Sequence, residues 1–239
     1  MFRAKTATME LPDDENVLKN GTLDPVPESD KGLRRYGVVA PRMPDGAIDL
    51  AAIIPGDTPL EIDIGFGRGL SVFKRAAVAP TWRLLGIEIK TKWAYKVEER
   101  RLREGLVNVR AYAGDARDIL ERATPSAYVE RFYVHFPDPW WKRRHEHRTV
   151  VADRFLQSAA RLLRDGGELF VQTDVKARMD EYVERMEEHP LFGPVRHLED
   201  NPYGSVSGRE AKAVVDELPI YRVVAARLPR DPNEVEEEE

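Results

Sequence analysis

Apolar residues in this chain fall into short runs of strand length, separated by longer stretches where they recur at helical spacing. Leu60-Glu61-Ile62-Asp63-Ile64 predicts a strand, which enters Gly65-Phe66-Gly67-Arg68-Gly69 and then a helix reaching about Ala79. Arg83 to Glu88 predicts a second strand, and Thr91 to Glu104 a charged helix. Val107 to Ala113 reads as a third strand, with Gly114-Asp115-Ala116-Arg117-Asp118 opening a short helix. Val129 to Val134 is a fourth, followed by a helix over about Val150 to Leu163, a Gly166-Gly167 turn and the strand Glu168 to Thr173. A helix from Lys176 to Glu188 and two further strands, Val195 to Glu199 and Ile220 to Arg227, complete the pattern.

Strands alternating with helices predict an α/β fold: a doubly wound, mostly parallel sheet of seven strands with helices on both faces. In such open sheets a ligand sits beyond the carboxyl ends of the strands, where strand order reverses. That rule gathers residues far apart in sequence, because Asp63, Gly65, Gly67, Gly69, Glu88, Asp115, Asp138 and Asp174 all stand at or just past predicted strand ends. Gly65, Gly67 and Gly69 let a backbone approach a ligand closely, although their spacing alone is a weak signal. Asp63 says more. A carboxylate there repels a pyrophosphate and attracts an ammonium or sulfonium, which favours S-adenosylmethionine over a nicotinamide dinucleotide. Glu88, 25 residues further on, is placed to accept from ribose hydroxyls, and Asp115 from an adenine amino group. One such acid alone is better explained as a favourable charge at a helix N-terminus; three in register after successive strands are not.

The fourth predicted strand runs into Phe136-Pro137-Asp138-Pro139-Trp140-Trp141-Lys142-Arg143-Arg144-His145-Glu146-His147-Arg148. Pro139 holds Asp138 out of a helical conformation. A rigid carboxylate beside indole rings and guanidinium groups suits the reading of an RNA base, with acceptors for its edge, rings for stacking and cations for phosphate. The competing reading is a proline-rich turn with core tryptophans and solvated charges. His145 and His147 lack further ligand partners and stand among arginines, so phosphate contact or plain surface is expected of them rather than metal binding.

Composition narrows the setting. The 239 residues fit one large domain with extensions, and there is no cysteine for disulfides or thiolate metal sites. A net charge of -5 means that any nucleic-acid footprint is a local patch, with Lys142 to Arg148 the best candidate. No apolar run reaches membrane-spanning length, and the expectation is a cytoplasmic protein. Residues 1–40 are expected to form a flexible arm, 41–230 the folded domain and 231–239 an acidic tail. Arg34, Arg35 and Arg42 are read as surface charge, with an RNA-touching arm as the alternative. Monomer and homo-oligomer both stay open.

Residues 58 to 228 resemble the bacterial tRNA (guanine-N7)-methyltransferase family. Glu61 to Gly69, Gly86-Ile87-Glu88 and Gly114-Asp115-Ala116 look like its cofactor motifs, Phe136 to His145 like its signature, and Thr173-Asp174 like the motif that follows. The resemblance implies a class I methyltransferase fold, S-adenosylmethionine as donor, and methylation of the variable-loop guanine of tRNA. By position it implies cofactor contacts at Asp63, Gly65, Gly67, Gly69, Glu88, Asp115, Ala116 and Asp138, the last also catalytic. It implies substrate contacts at Lys142, Asp174, Ser207 and Glu210, and RNA contacts at Arg143, Arg144, His145, His147 and Arg148. The chain departs from the family at Ser207-Gly208-Arg209-Glu210, where serine stands for threonine and Arg209 for an aromatic residue. That departure admits a related methyltransferase with another RNA or small-molecule substrate; an inert RNA-binding relative is a third reading.

Overall fold

The computed structural model describes residue 23, residues 36–138 and residues 149–231. The chain enters through α1 (Tyr36–Val39), β1 (Ile48–Asp49) and α2 (Leu50–Ile53). There follow β2 (Leu60–Ile64), α3 (Leu70–Val78), β3 (Arg83–Glu88), α4 (Thr91–Arg103), β4 (Val109–Ala113), α5 (Ala116–Arg122) and β5 (Ala123–Thr124). Then come β6 (Val129–His135), α6 (Asp153–Leu162), β7 (Leu163–Thr173), α7 (Lys176–Glu188), β8 (Arg196–Leu198), α8 (Gly208–Val215) and β9 (Tyr221–Ala226).

Seven strands form one sheet in the order β4-β3-β2-β6-β7-β9-β8, as expected from the alternating pattern. Pairing is parallel from β4 to β7, and β9 runs antiparallel to both β7 and β8. The chain winds outward from β2 through β3 to β4, then returns to place β6 on the other side of β2. The reversal point therefore lies between β2 and β6, and their carboxyl ends open a crevice there.

Alternation along the strands builds two apolar layers. Leu84 packs with Val72, Ala94, Val97, Val109 and Ala111, whereas its neighbour Leu85 packs with Ile62, Ile119 and Phe132. Successive side chains on a strand point to opposite faces, so α3 and α4 cover one face while α5 and α6 belong to the other. Both faces being covered, β2 and β3 are buried at every position.

Five elements were not expected: α1, β1, α2, β5 and α8. Tyr36, Val39 and Ala40 are buried, with the Tyr36 ring 5.6 Å from that of Tyr95 on α4, so the fold includes residues assigned from sequence to the arm. Arg42 is exposed, which fits surface charge and an RNA contact alike, and Arg34 and Arg35 lie outside the described residues. The Gly166-Gly167 turn lies inside β7 rather than before it. Pairing with β6 jumps from Val129↔Leu163 to Arg131↔Glu168, and Gly166 takes φ +75 where the extra residues loop out. Among the described residues no helix is long and apolar enough to cross a membrane.

Gly69 locks the first turn of α3 to α4. It caps α3 at φ +81, and an added Cβ would lie 2.4 Å from Cγ2 of the buried Val97. Gly69→Ala combines left-handed strain with a core clash and should cost about 2–5 kcal/mol of unfolding free energy. Urea denaturation reads this directly; a loss below about 1 kcal/mol would contradict the packing described.

Candidate active site

A cavity of about 450 Å³ opens at the reversal point, within the range of small-molecule sites. Its walls come from four strand ends: Gly65 and Gly67 after β2, Glu88 to Lys90 at β3, Gly114 to Arg117 after β4, and Val134 to Asp138 at β6. Ile64, Ile87 and Val150 make the apolar remainder. Of the residues expected from sequence, Gly65, Gly67, Glu88, Asp115, Ala116 and Asp138 are brought together here.

Gly65 and Gly67 take φ +72 and +58, and an added Cβ at either would meet nothing within 4 Å. The glycine turn thus presents bare backbone to open space. Glu88 holds that turn in place: Oε2 accepts from the Gly67 N–H at 2.8 Å and Oε1 from the Lys90 N–H at 2.8 Å. Each oxygen keeps a further lone pair for a ligand hydroxyl. Asp115 caps α5, accepting from the Arg117 N–H at 3.0 Å and from its guanidinium at 3.0 and 2.6 Å. The Arg117 hydrogen bond holds the Asp115 carboxyl below its usual range, so it stays ionised.

Asp138 is exposed at the cavity wall, and its carboxylate has no partner among the described residues. The backbone leading to it is strained. Phe136 sits at φ +48, although a bulky residue before proline is ordinarily extended. Its N–H donates to the Gln172 carbonyl at 2.8 Å, which ties the turn to β7. Such conformations cost about 1–3 kcal/mol and persist where surroundings over-determine them, commonly at functional sites.

The two acids of β2 differ. Both are fully buried. Glu61 accepts from Arg75 Nε at 2.6 Å, Arg131 Nη1 at 2.5 Å and the Tyr133 hydroxyl at 2.8 Å. Among the described residues Asp63 has only Ser71, whose hydroxyl donates to Oδ2 at 2.5 Å, and its Oδ1 has no partner. Asp63 stands behind the glycine turn rather than in the cavity wall. Burial, against the lowering effect of Ser71 and with Glu88 and Glu61 adding to it, pushes its carboxyl up to about 7.

That shift carries a sign. The folded chain keeps a proton on Asp63 between about 3.8 and 7, where the unfolded chain has released it. The contribution of Asp63 to stability is therefore complete below pH 3.8 and is lost as pH rises to about 7. Asp63→Asn has no proton to lose. From pH 4 to 7 its stability should rise relative to the parent by on the order of 4 kcal/mol, measured by denaturation without ligand. A pH-independent difference would contradict the buried, half-paired carboxyl.

Asp174 lies one strand over, two residues past Gln172, which pairs with His135. Arg209 donates to its Oδ2 from Nε at 3.0 Å and from Nη2, and Asp174 is not part of the cavity wall. Ser207 and Glu210 form the capping box of α8: Ser207 Oγ accepts from the Glu210 N–H and Glu210 from the Ser207 N–H. Glu210 is buried and also accepts from Gln172 Nε2 at 2.8 Å and Arg222 Nη2 at 3.2 Å. Its two oxygens are thus engaged inside the protein, away from the cavity wall. Lys142, Arg143, Arg144, His145, His147 and Arg148, with both tryptophans of the signature, lie outside the described residues.

His135 was not singled out from sequence, yet it lines the cavity. Its ring stacks on Tyr133 at 5.6 Å, and burial lowers it to about 3, so it is neutral. Gln172 Nε2 donates to its Nδ1 at 2.7 Å, because Oε1 of the same amide accepts from Arg222. The Nε2–H then donates to Ser205 Oγ at 3.0 Å. Its position at the last residue of a strand entering the signature was the available signal. Ile89, Lys90, Arg117 and Val150 are further lining residues that carry no motif. Among the described residues no group of three or more His, Asp or Glu could hold a metal ion.

A mostly parallel sheet wound both ways from β2, with an acid at the end of β3 and another two residues past β4 beside a glycine turn, defines a class I methyltransferase. A family model described as "Putative methyltransferase" matches residues 57–223. A tRNA (guanine-N(7)-)-methyltransferase of Synechococcus sp. (strain JA-3-3Ab) is 36% identical over 169 residues, 69% of this chain and 70% of that protein. The protein of that name from Synechococcus elongatus is 33% identical over 180 residues, 73% of this chain and 84% of its own. Among solved structures, the 16S rRNA methyltransferase KamB superposes with a TM-score of 0.53 at 16% identity, covering 72% of this chain and 88% of its own, and shares the fold. The chain belongs to the tRNA (guanine-N7)-methyltransferase family.

Proposed function

We propose that this protein transfers the methyl group of S-adenosylmethionine to N7 of the variable-loop guanine of tRNA. What carries the reading is the convergence of Glu88, Asp115 and Asp138 with the bare glycine backbone on one cavity, in a chain of this family. The residues fit the donor. Among the described residues Asp63 Oδ1 is a buried acceptor without a partner, set behind the glycine turn, so it would act on an ammonium only across that turn. Glu88 offers lone pairs to ribose hydroxyls, and Asp115 stands at the end of β4 for an adenine amino group. Ile64, Ile87, Ile89 and Ala116 supply the apolar sides.

When bound, S-adenosylmethionine supplies a methyl group on a sulfonium, which N7 takes with its lone pair while the sulfur leaves as a neutral thioether. Guanine N7 has no proton to lose, so the protein needs no strong base. Its work is orientation and exclusion of water, which can supply on the order of 7–11 kcal/mol. Asp138, on its strained turn, lines the cavity with a carboxylate that has no partner among the described residues, and Asp174, held by Arg209, stands one strand away outside the cavity wall. Carboxylates there accept from the N1–H and N2–H₂ donors of guanine, which adenine lacks, and offset the positive charge that methylation places on the base. Ser207 and Glu210 act through position, since the capping box and Arg222 engage their polar atoms. Lys142 and the run Arg143 to Arg148 continue the chain from Asp138 and are assigned to the RNA.

Incubation with labelled donor and an unmodified tRNA transcript tests this. The label should appear in 7-methylguanosine and vanish when the variable-loop guanine is replaced by adenine. Label in another nucleoside, or transfer indifferent to that replacement, would refute the assignment.

A further inference from the structure

We infer that Arg68 and Lys92, which lie over the Trp93 ring, together with Lys90 in the cavity wall, form a docking surface for the phosphate backbone of tRNA; the inference rests on the tRNA-methyltransferase reading above. Arg68 belongs to the glycine turn, and Lys90 to Trp93 open α4. Glu88 ties these two segments together by accepting from both Gly67 and Lys90 backbones. As a result the Arg68 guanidinium carbon lies 5.2 Å from the Trp93 ring centroid and Lys92 Nζ 5.1 Å from it.

None of the three cations is paired with a carboxylate among the described residues. Further along α4 the pattern is different: Lys96 pairs with Glu99, Arg100 with Glu104 and Arg101 with Glu98. The first turn of α4 has no acid, and its cations stand against the helix dipole. The indole offsets part of the repulsion, since a cation over a ring gains about 0.5–1 kcal/mol at exposed sites. Positive charge left uncompensated at one rim, in a protein of net charge -5, fits an anionic partner.

Charge complementarity selects the partner. Inside the cavity the wall carries Glu88, Asp115 and Asp138, which repel phosphate. A substrate that delivers a base to Asp138 must keep its backbone away from those acids, and Lys90 puts one cation in the wall where α4, with Lys92 in its first turn, begins. One cofactor carboxylate does not account for three cations.

The test compares the parent protein with Arg68→Gln/Lys92→Gln, using an unmodified tRNA transcript titrated at several salt concentrations and S-adenosylhomocysteine titrated separately. The double variant should bind tRNA roughly tenfold more weakly near 0.1 M salt, and its log Kd against log salt slope should flatten by about 1.5. Affinity for S-adenosylhomocysteine should not change. Trp93→Leu keeps the charges and should weaken tRNA binding about threefold with the slope nearly intact. An unchanged slope in the double variant overturns the surface, and so does a loss confined to S-adenosylhomocysteine, which would assign the cations to the cofactor carboxylate. If the parent neither binds nor methylates tRNA, the functional reading has failed; if it does both and the double variant matches it, only the docking surface has.

Discussion

Glu88→Ala should raise the dissociation constant for S-adenosylhomocysteine about a hundredfold. The carboxylate does two things at once: it latches the Gly67 and Lys90 N–H groups at 2.8 Å each, and it faces the cavity with free lone pairs. Alanine removes charge-assisted hydrogen bonds to the ligand, worth about 1.5–3 kcal/mol, and leaves two backbone donors without acceptors once water is displaced. A hundredfold corresponds to about 2.7 kcal/mol. Glu88→Gln keeps an acceptor and loses the charge, so about tenfold is expected. Calorimetric titration reads both, with thermal melts to confirm folding. Affinity within threefold of the parent for Glu88→Ala would remove Glu88 from the binding site.

Asp138→Ala should lower kcat for methyl transfer to tRNA at least about tenfold, or roughly 1.4 kcal/mol of barrier. The melting temperature should hold, because the Asp138 carboxylate is exposed and has no partner among the described residues. On the function proposed above, what is lost is a charge facing the reacting base. Near-normal turnover in single-turnover conditions would show that this acid does not act on the transfer step.

How far the sequence foretold this site depends on what each residue answers to. Glu88 and Asp115 were legible because a strand-end acid is marked by local pattern, and the rule for open sheets brings strand ends together. The depth of Asp63 was not. Leu60-Glu61-Ile62-Asp63-Ile64 alternates like a strand with one wet face, yet β2 is central and covered on both sides. Glu61 tolerates this only through Arg75, Arg131 and Tyr133, partners 14 to 72 residues away that no local pattern announces. Phe136 defies its local rule, since φ +48 before Pro137 depends on a hydrogen bond to β7. The helix α8 is a different case. Ser207-x-x-Glu210 is the sequence sign of a capped helix, but a motif with a substrate role implied by resemblance drew the reading toward chemistry instead. The chain from His135 through Gln172 to Glu210 and Arg222 spans three strands and a helix, so only the assembled sheet reveals it.

A crystal structure with S-adenosylhomocysteine bound puts the central claim to the shortest test. The ribose hydroxyls should meet Glu88, the amino group should lie toward Asp63, and the sulfur should face Asp138. A ligand lodged elsewhere, or seated in this cavity with Glu88 and Asp138 both out of contact, would contradict it.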